Sequence, residues 1–474
     1  MRIRPPRRSR LQFVSLGAVA LLVLGVAAAT PALAGTSQAT TTTITAADTV
    51  PDDQPLPPYT IVNNPLAPVL VNGQPSTVTQ GTRAHAAYII EVPPQWNGEL
   101  VMWDHGFRGQ GTVLTVDPPA FGLRQKFLNE GYAWAASSYA GNGYDIRTGV
   151  LTTKDLADFF GRSVHRPQRT YITGVSMGGH IIGRSLEQYP GYYQGALPMC
   201  GVLGDQFEFD YLADYNLVAQ ALSGVSAYPI PPDYLTTSVP QINAALGTSA
   251  LSVVNQEPAN DLGRQWRDIV INRSGGERPG AAAAFAFWKS TLFALTTPAT
   301  VAADDATTAQ APGLISTNLL TNYQPNTPVD VNRTVRRIAP EELGQRLSPF
   351  LTQIPKIQGR PNSPVLSLHG LGDLFVPFAH EQRYAIDAAL HLQSRNVVQR
   401  AIRSINHCEF SANEAGQAWD DLVNWVVNKQ KPAGDNVLNH DVVADADFGC
   451  AFSDPAAFAA GTGTRRLYAA CPAA

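Results

Sequence analysis

Residues 169–190 join a short apolar strand to a helix through the turn Gly174-Val175-Ser176-Met177-Gly178-Gly179. The preceding Arg-Thr-Tyr-Ile-Thr run has strand character. The following His180-Ile-Ile-Gly-Arg-Ser-Leu-Glu-Gln-Tyr run is helical and is closed by Pro190. A Gly-x-Ser-x-Gly turn between strand and helix is tight and strained. Its serine stands proud of the sheet edge, and the flanking glycines let the helix pass close to the strand. A chain with such a turn needs neighbouring strands on both sides and helices to cover them.

The surrounding sequence supplies them. Runs at 59–63, 68–73 and 83–93 are strand-like, separated by turn residues, and read as antiparallel strands leading into a sheet. Residues 99–104 form a buried strand ending in the loop His105-Gly106-Phe107-Arg108-Gly109. Residues 126–131 resemble a helix end, 132–139 an apolar strand, and 151–164 an amphipathic helix with Leu156, Phe159 and Phe160 on one face. After the serine turn come a strand at 195–201, a strand at 363–368, a helix at 379–392, a last strand at 397–405 and a helix at 415–429 carrying Trp419, Leu422, Val423, Trp425 and Val426. This alternation predicts an α/β fold: a mostly parallel central sheet with helices on both faces.

The alternation breaks between 202 and 359, where helical patterns and Pro-rich connectors replace it. We read this stretch as a largely helical lid or cap insertion. Its most apolar part, 281–295, reads as packed core rather than a substrate contact, Trp288 included. The expected organisation is a signal peptide (1–34), a flexible N-terminal segment (35–57), a first core part (58–201), the insertion (202–359), a second core part (360–431) and a disulfide-stapled C-terminal tail (432–474).

Residues 1–10 are basic, 11–29 are apolar, and Ala32-Leu33-Ala34 has the form of a cleavage site. That pattern predicts export with cleavage after Ala34, and so an extracellular or periplasmic protein without stable membrane insertion. A net charge of −4, without basic clusters past the leader, argues against nucleic-acid partners. The four cysteines, Cys200, Cys408, Cys450 and Cys471, predict two disulfides in an exported chain, and the count permits three pairings. They lack metal-ligand spacing, so neither a metal site nor a cofactor is expected.

A serine is a weak nucleophile until a base takes its proton, and the base needs a carboxylate to hold its tautomer. Asp373 in His369-Gly-Leu-Gly-Asp373-Leu-Phe-Val-Pro and His407 in Asn-His407-Cys-Glu-Phe each follow a predicted strand. With Ser176 they stand in the order Ser, Asp, His. On these residues the chain resembles the α/β-hydrolase-fold serine hydrolases from about Arg83 to Lys429, outside the insertion. The resemblance implies Ser176 as nucleophile, His407 as general base and acid, Asp373 as orienting acid, and an acyl-enzyme hydrolysed by water. It also implies oxyanion donors at the backbone of Met177 and of Phe107. His369, His105, His180 and His440 read as structural or surface residues, Asp387 as a solvated helix residue, and 441–447 as a solvated acidic loop.

Cys200 and Cys408 both follow strands at the expected active-site edge, which leads us to expect a Cys200–Cys408 bridge and a Cys450–Cys471 bridge. The tannase and feruloyl-esterase group also has a cysteine after its histidine, but pairs it with one just before the serine, where this chain has Val175. The expected function is a secreted carboxylic-ester hydrolase acting on a small-molecule or polymeric ester. The rival expectations are a peptidase of prolyl-oligopeptidase or tripeptidyl type and a non-catalytic binding protein on the same fold.

Overall fold

Eight strands form the central sheet: β1 (Thr77–Arg83), β2 (Ala86–Val92), β3 (Glu99–Asp104), β4 (Ala133–Ser137), β5 (Arg169–Val175), β6 (Gly195–Met199), β7 (Val365–Gly370) and β8 (Val397–Ile402). Their spatial order is β1-β2-β4-β3-β5-β6-β7-β8. β1–β2 and β2–β4 pair antiparallel, and every later pair is parallel. The computed structural model describes residues 50–294 and 315–471; the expected signal peptide lies outside them, as does most of the expected flexible segment. The described residues fall in one compact unit.

The period-two alternation of the strands sorts side chains onto two faces. Val101, Trp103, Trp134, Tyr171, Leu197 and Leu366 pack under α1 (Leu123–Asn129) and the amphipathic helix Ala412–Asn428. Leu100, Met102, Ala135, Ile172, Ala196 and Val365 pack under α2 (Ile146–Ser163) and α3 (Met177–Gln188). Helices on both faces of a mostly parallel sheet are what the alternation predicts. The sequence reading differs at the first edge. It runs a single strand from 83, whereas Arg83 ends β1, and Ala84 and His85 turn the chain at φ 48° and 63° before β2 starts at Ala86. β1 is polar and lies on the sheet edge, so it carries no hydrophobic signal.

Residues 202–359 contribute α4 (Phe207–Ser223), α5 (Tyr234–Ala245), α6 (Asp261–Arg273), α7 (Ala281–Ala294) and two short helices, α8 (Val331–Thr334) and α9 (Leu343–Leu347), and no strand of the sheet among the described residues. Their core is continuous with the rest of the molecule. Trp266, Phe285, Trp288 and Phe293 share one apolar cluster with Leu371, Leu374 and Ile405 at the ends of β7 and β8, and with Phe448 and Tyr468 of the tail. α10 (Ala379–Leu390) follows β7, and α11 (Ala412–Asn428, the amphipathic helix above) follows β8. α11 opens with Ser411 and Glu414 in a reciprocal capping box. None of the described helices is long and apolar enough to cross a membrane.

Both expected disulfides are present, Cys200–Cys408 and Cys450–Cys471. The first spans 208 residues and the second 21. In the chain-entropy account they stabilise by up to about 5 and about 3 kcal/mol respectively. Replacing Cys200 and Cys408 together by Ala is therefore expected to lower the denaturant midpoint more than replacing Cys450 and Cys471. Equilibrium urea unfolding of the two double variants checks the ranking.

Candidate active site

The serine turn is built by close backbone approach. A Cβ on Gly174 or on Gly178 would fall 2.2 and 2.3 Å from the carbonyl oxygen of Asp104, and one on Gly179 would fall 2.3 Å from the Cα of Gly201. Only glycine fits at these three positions, which lets β5, α3 and the end of β3 converge. Ser176 sits between β5 and α3 at φ 56°, ψ −121°, a strained conformation for a residue with a side chain. It is held by hydrogen bonds from its N–H to Met199 O (3.1 Å) and from Gly179 and Val202 N–H to its carbonyl (2.8 and 3.1 Å). Sheet order, strained serine and crossing helix together identify the architecture. This is the α/β-hydrolase fold.

Asp373 and His407 meet at the same edge. Asp373 lies just past β7 and is fully buried; its Oδ2 accepts from His407 Nδ1–H at 2.6 Å. Its Oδ1 accepts from the N–H groups of Phe375 (3.0 Å) and Val376 (3.1 Å). Two of these three hydrogen bonds come from the loop that carries Asp373, so the loop itself orients the carboxylate. His407 follows β8, and its ring packs edge-on to Phe375 with centroids 4.8 Å apart. Its Nε2 faces Cys408 Sγ at 3.3 Å, and among the described residues no hydrogen bond joins it to Ser176. Hydrogen bonds of this kind are commonly long in unliganded sites and tighten when substrate arrives.

The Cys200–Cys408 bridge ties these parts together. Cys200 directly follows Met199, whose carbonyl holds the Ser176 N–H, and Cys408 directly follows His407. Both cysteines lie in the left-handed region, at φ 46° and 54°. Cys200, Cys408 and His407 are the three-residue cluster among the described residues with ligand atoms within 4.8 Å of one another. Both sulfurs are spent in the disulfide, so the cluster offers no thiolate to a metal.

The two expected oxyanion donors belong to segments that meet at Ser176. Met177 is the first residue of α3, so its N–H has no acceptor inside that helix. Phe107 follows Gly106, whose Cβ, if it had one, would lie 2.9 Å from Ser176 Cβ. The 105–107 loop thus rests directly on the serine. Gly106→Ala is expected to push this loop away and lower kcat/KM by about 10²-fold, as misplacement near 1 Å does, with the thermal unfolding temperature nearly unchanged. Initial rates alongside a melting curve check it.

Of the other histidines singled out in the sequence, His180, His105 and His369 are buried and hydrogen-bonded, and His440 is exposed. His180 accepts from Tyr144 OH at Nδ1 (3.0 Å) and donates from Nε2 to Pro355 O (2.7 Å); burial pushes its pKa down to about 4. His105 is buried with its ring nitrogens 2.6 and 3.2 Å from the carbonyls of Gly106 and Ser138. Burial, helped by Arg108, pushes its pKa down to about 3. His369 spans Glu381 Oε1 (3.1 Å) and Val376 O (2.8 Å), bracing the Asp373 loop. His440 starts an exposed short helix. Asp387 is half-buried on α10 rather than solvated, with the backbone of Gly359 against it.

Three contributors escape the sequence reading. Asp104, at the end of β3 beneath the serine turn, is fully buried. Its Oδ1 accepts from Thr153 Oγ1 at 2.6 Å, and burial pushes its pKa up to about 8, against that hydrogen bond. Thr464, from the tail, accepts from the N–H groups of Ile405 (2.7 Å) and Asn406 (3.2 Å) and so holds the strand end before His407. Arg278 of the insertion, buried, donates from Nε to Leu371 O at 2.6 Å. No sequence signal marks Thr464 or Arg278, because their contacts cross 59 and 93 residues of chain. Asp104 stands beside His105-Gly106, a position that flags it only once the loop is known to touch Ser176.

No family model matches the sequence, and no curated protein does. Among solved structures, the chain is similar to an esterase from Aspergillus oryzae (12% identity, TM-score 0.40, covering 76% of this chain and 81% of that one). It is also similar to feruloyl esterase B from Aspergillus oryzae (14%, 0.36, 76% and 82%). A third similarity is to an acylaminoacyl peptidase (12%, 0.36, 76% and 43%).

Proposed function

We propose that the chain is an exported serine hydrolase that cleaves carboxylic esters through an acyl-enzyme. The observation that carries this reading is the 2.6 Å hydrogen bond between His407 Nδ1–H and a carboxylate oriented by two backbone N–H groups, at the sheet edge where Ser176 is held strained. Nδ1 is kept as donor, which leaves Nε2 a lone pair for the serine proton.

In this reading substrate binding brings Ser176 Oγ within reach of Nε2. The Oγ–carbonyl bond forms as the proton moves to Nε2, and the negative oxygen is met by the Met177 and Phe107 N–H groups. The imidazolium, stabilised by Asp373, returns its proton to the departing alkoxide. Water, deprotonated by the same nitrogen, then releases the acid. Two disulfides in one chain favour an oxidising compartment, in keeping with the leader-like N-terminus.

Ester is preferred to peptide because, among the described residues of the insertion, we identify no cluster of charges placed to hold a substrate amino terminus. A panel of p-nitrophenyl esters beside aminoacyl and prolyl p-nitroanilides tests it. Ester turnover with silent anilides is expected, whereas anilide turnover at comparable kcat/KM would replace the reading by the peptidase one.

A further inference from the structure

The two loops that bring Asp373 and His407 together leave the sheet as a continuation of the β7–β8 ladder. The strands pair in register from Val365 with Val397 to Gly370 with Ile402. Beyond them Leu371 N–H donates to Ile402 O and Gly372 N–H to Ser404 O, each at 2.8 Å. A Cβ on Gly372 would fall 2.9 Å from Ile405 Cα, so the loops are in backbone contact. At the next step the ladder stops. Ile405 N–H is taken by Thr464 Oγ1 (2.7 Å) rather than by the facing loop.

A side chain of the insertion reaches into that gap. The indole Nε1–H of Trp288, on α7 of the insertion, lies 3.1 Å from Gly372 O and 2.9 Å from Ile405 O and donates to both. These carbonyls belong to the residue before Asp373 and to the second residue before His407. The indole is 5% exposed, and its ring stands 6.2 Å from Phe375, which in turn packs on the His407 imidazole.

We infer that Trp288 is a positioning residue for the Asp373–His407 pair: its indole N–H closes the ladder between the two loops and fixes their separation, so that the insertion sets the alignment of the base. This rests on the catalytic reading above. Trp288 reaches neither the serine nor the reacting carbonyl; it acts through the carbonyls that precede the acid and the base. The geometry has a consequence for the insertion. A movement of α7 away from the sheet edge would withdraw this shared donor from both loops at once, leaving them to their remaining ties.

Trp288→Phe removes the donor and keeps an aromatic ring. With a p-nitrophenyl ester, kcat is expected to fall at least tenfold while KM stays within about twofold, because the lost hydrogen bonds act on the Asp373 and His407 loops rather than on the substrate. A second arm places the change in an Asp373→Asn background. A residue that acts through the acid–base pair loses its effect there, so the fold-loss from Trp288→Phe should shrink to about twofold or less. An equal fold-loss in both backgrounds would mean a general structural role and would overturn the inference. If Trp288→Phe does not fold, replacing Trp288 by β-(3-benzothienyl)alanine, which keeps the ring outline and lacks the N–H, takes its place. Unchanged kcat in that variant also overturns the inference. Failure of the catalytic reading itself is seen separately, as wild-type protein that is not labelled on Ser176 by a fluorophosphonate.

Discussion

Asp373→Asn is expected to lower kcat by about 10⁴-fold, the loss that follows when a triad histidine is held in the wrong tautomer. The direction comes from the hydrogen bonds around the carboxylate. Asp373 Oδ1 accepts from two backbone N–H groups, Phe375 and Val376. An asparagine must keep its carbonyl oxygen there, because its NH₂ cannot accept. The amide nitrogen then faces His407 Nδ1, 2.6 Å from the oxygen it replaces, and donates to it. Nδ1 becomes the acceptor, the ring proton moves to Nε2, and the nitrogen that should take the serine proton no longer has a lone pair. The variant should fold and bind an ester with near-normal KM. Steady-state kinetics on purified variant, with a melting curve to show that it is folded, checks the split. A loss under tenfold would mean that Asp373 does not fix the tautomer of the base.

Ser176→Ala has the larger expected effect, a fall of about 10⁶-fold in kcat, since no acyl-enzyme can form. It should also raise stability slightly or leave it unchanged. The hydroxyl sits at a strained backbone position, φ 56°, and the hydrogen bonds that hold the turn are made by the backbone of residue 176, not by its side chain. A variant that is inactive and as stable as wild type separates a functional serine from a structural one. Residual activity above about one part in 10⁴ would point to a different nucleophile.

The parts of the site legible from sequence are those whose geometry is local. The serine turn is one: strand, glycine-flanked serine and helix are contiguous, and the close approaches at Gly174 and Gly178 follow from that short stretch meeting the end of β3. Asp373 and His407 are legible at one remove, because each follows a strand whose apolar run is visible, and parallel strand ends share an edge. The Cys200–Cys408 bridge follows from the same placement.

What is not legible depends on packing across long separations. β1 is missed because a polar edge strand has no buried face to write a pattern. The six described helices of 202–359 show an apolar surplus but not that their core merges with Leu371, Ile405 and Tyr468. Trp288 reads as ordinary core, and it is buried. Its two hydrogen bonds to the loops before Asp373 and His407 span 84 and 117 residues, a relation that no periodicity encodes. The same holds for Thr464, whose hydroxyl steadies the histidine loop from the tail. The sequence thus exposes the groups proposed to react, and the structure adds the groups that hold them in place.

The most direct measurement is fluorophosphonate labelling of the folded, non-reduced protein, followed by peptide mass mapping. The account predicts stoichiometric phosphonylation of Ser176, lost on heat unfolding and strongly slowed in His407→Ala. Folded protein that stays unlabelled at Ser176, or that labels at another serine, would contradict it.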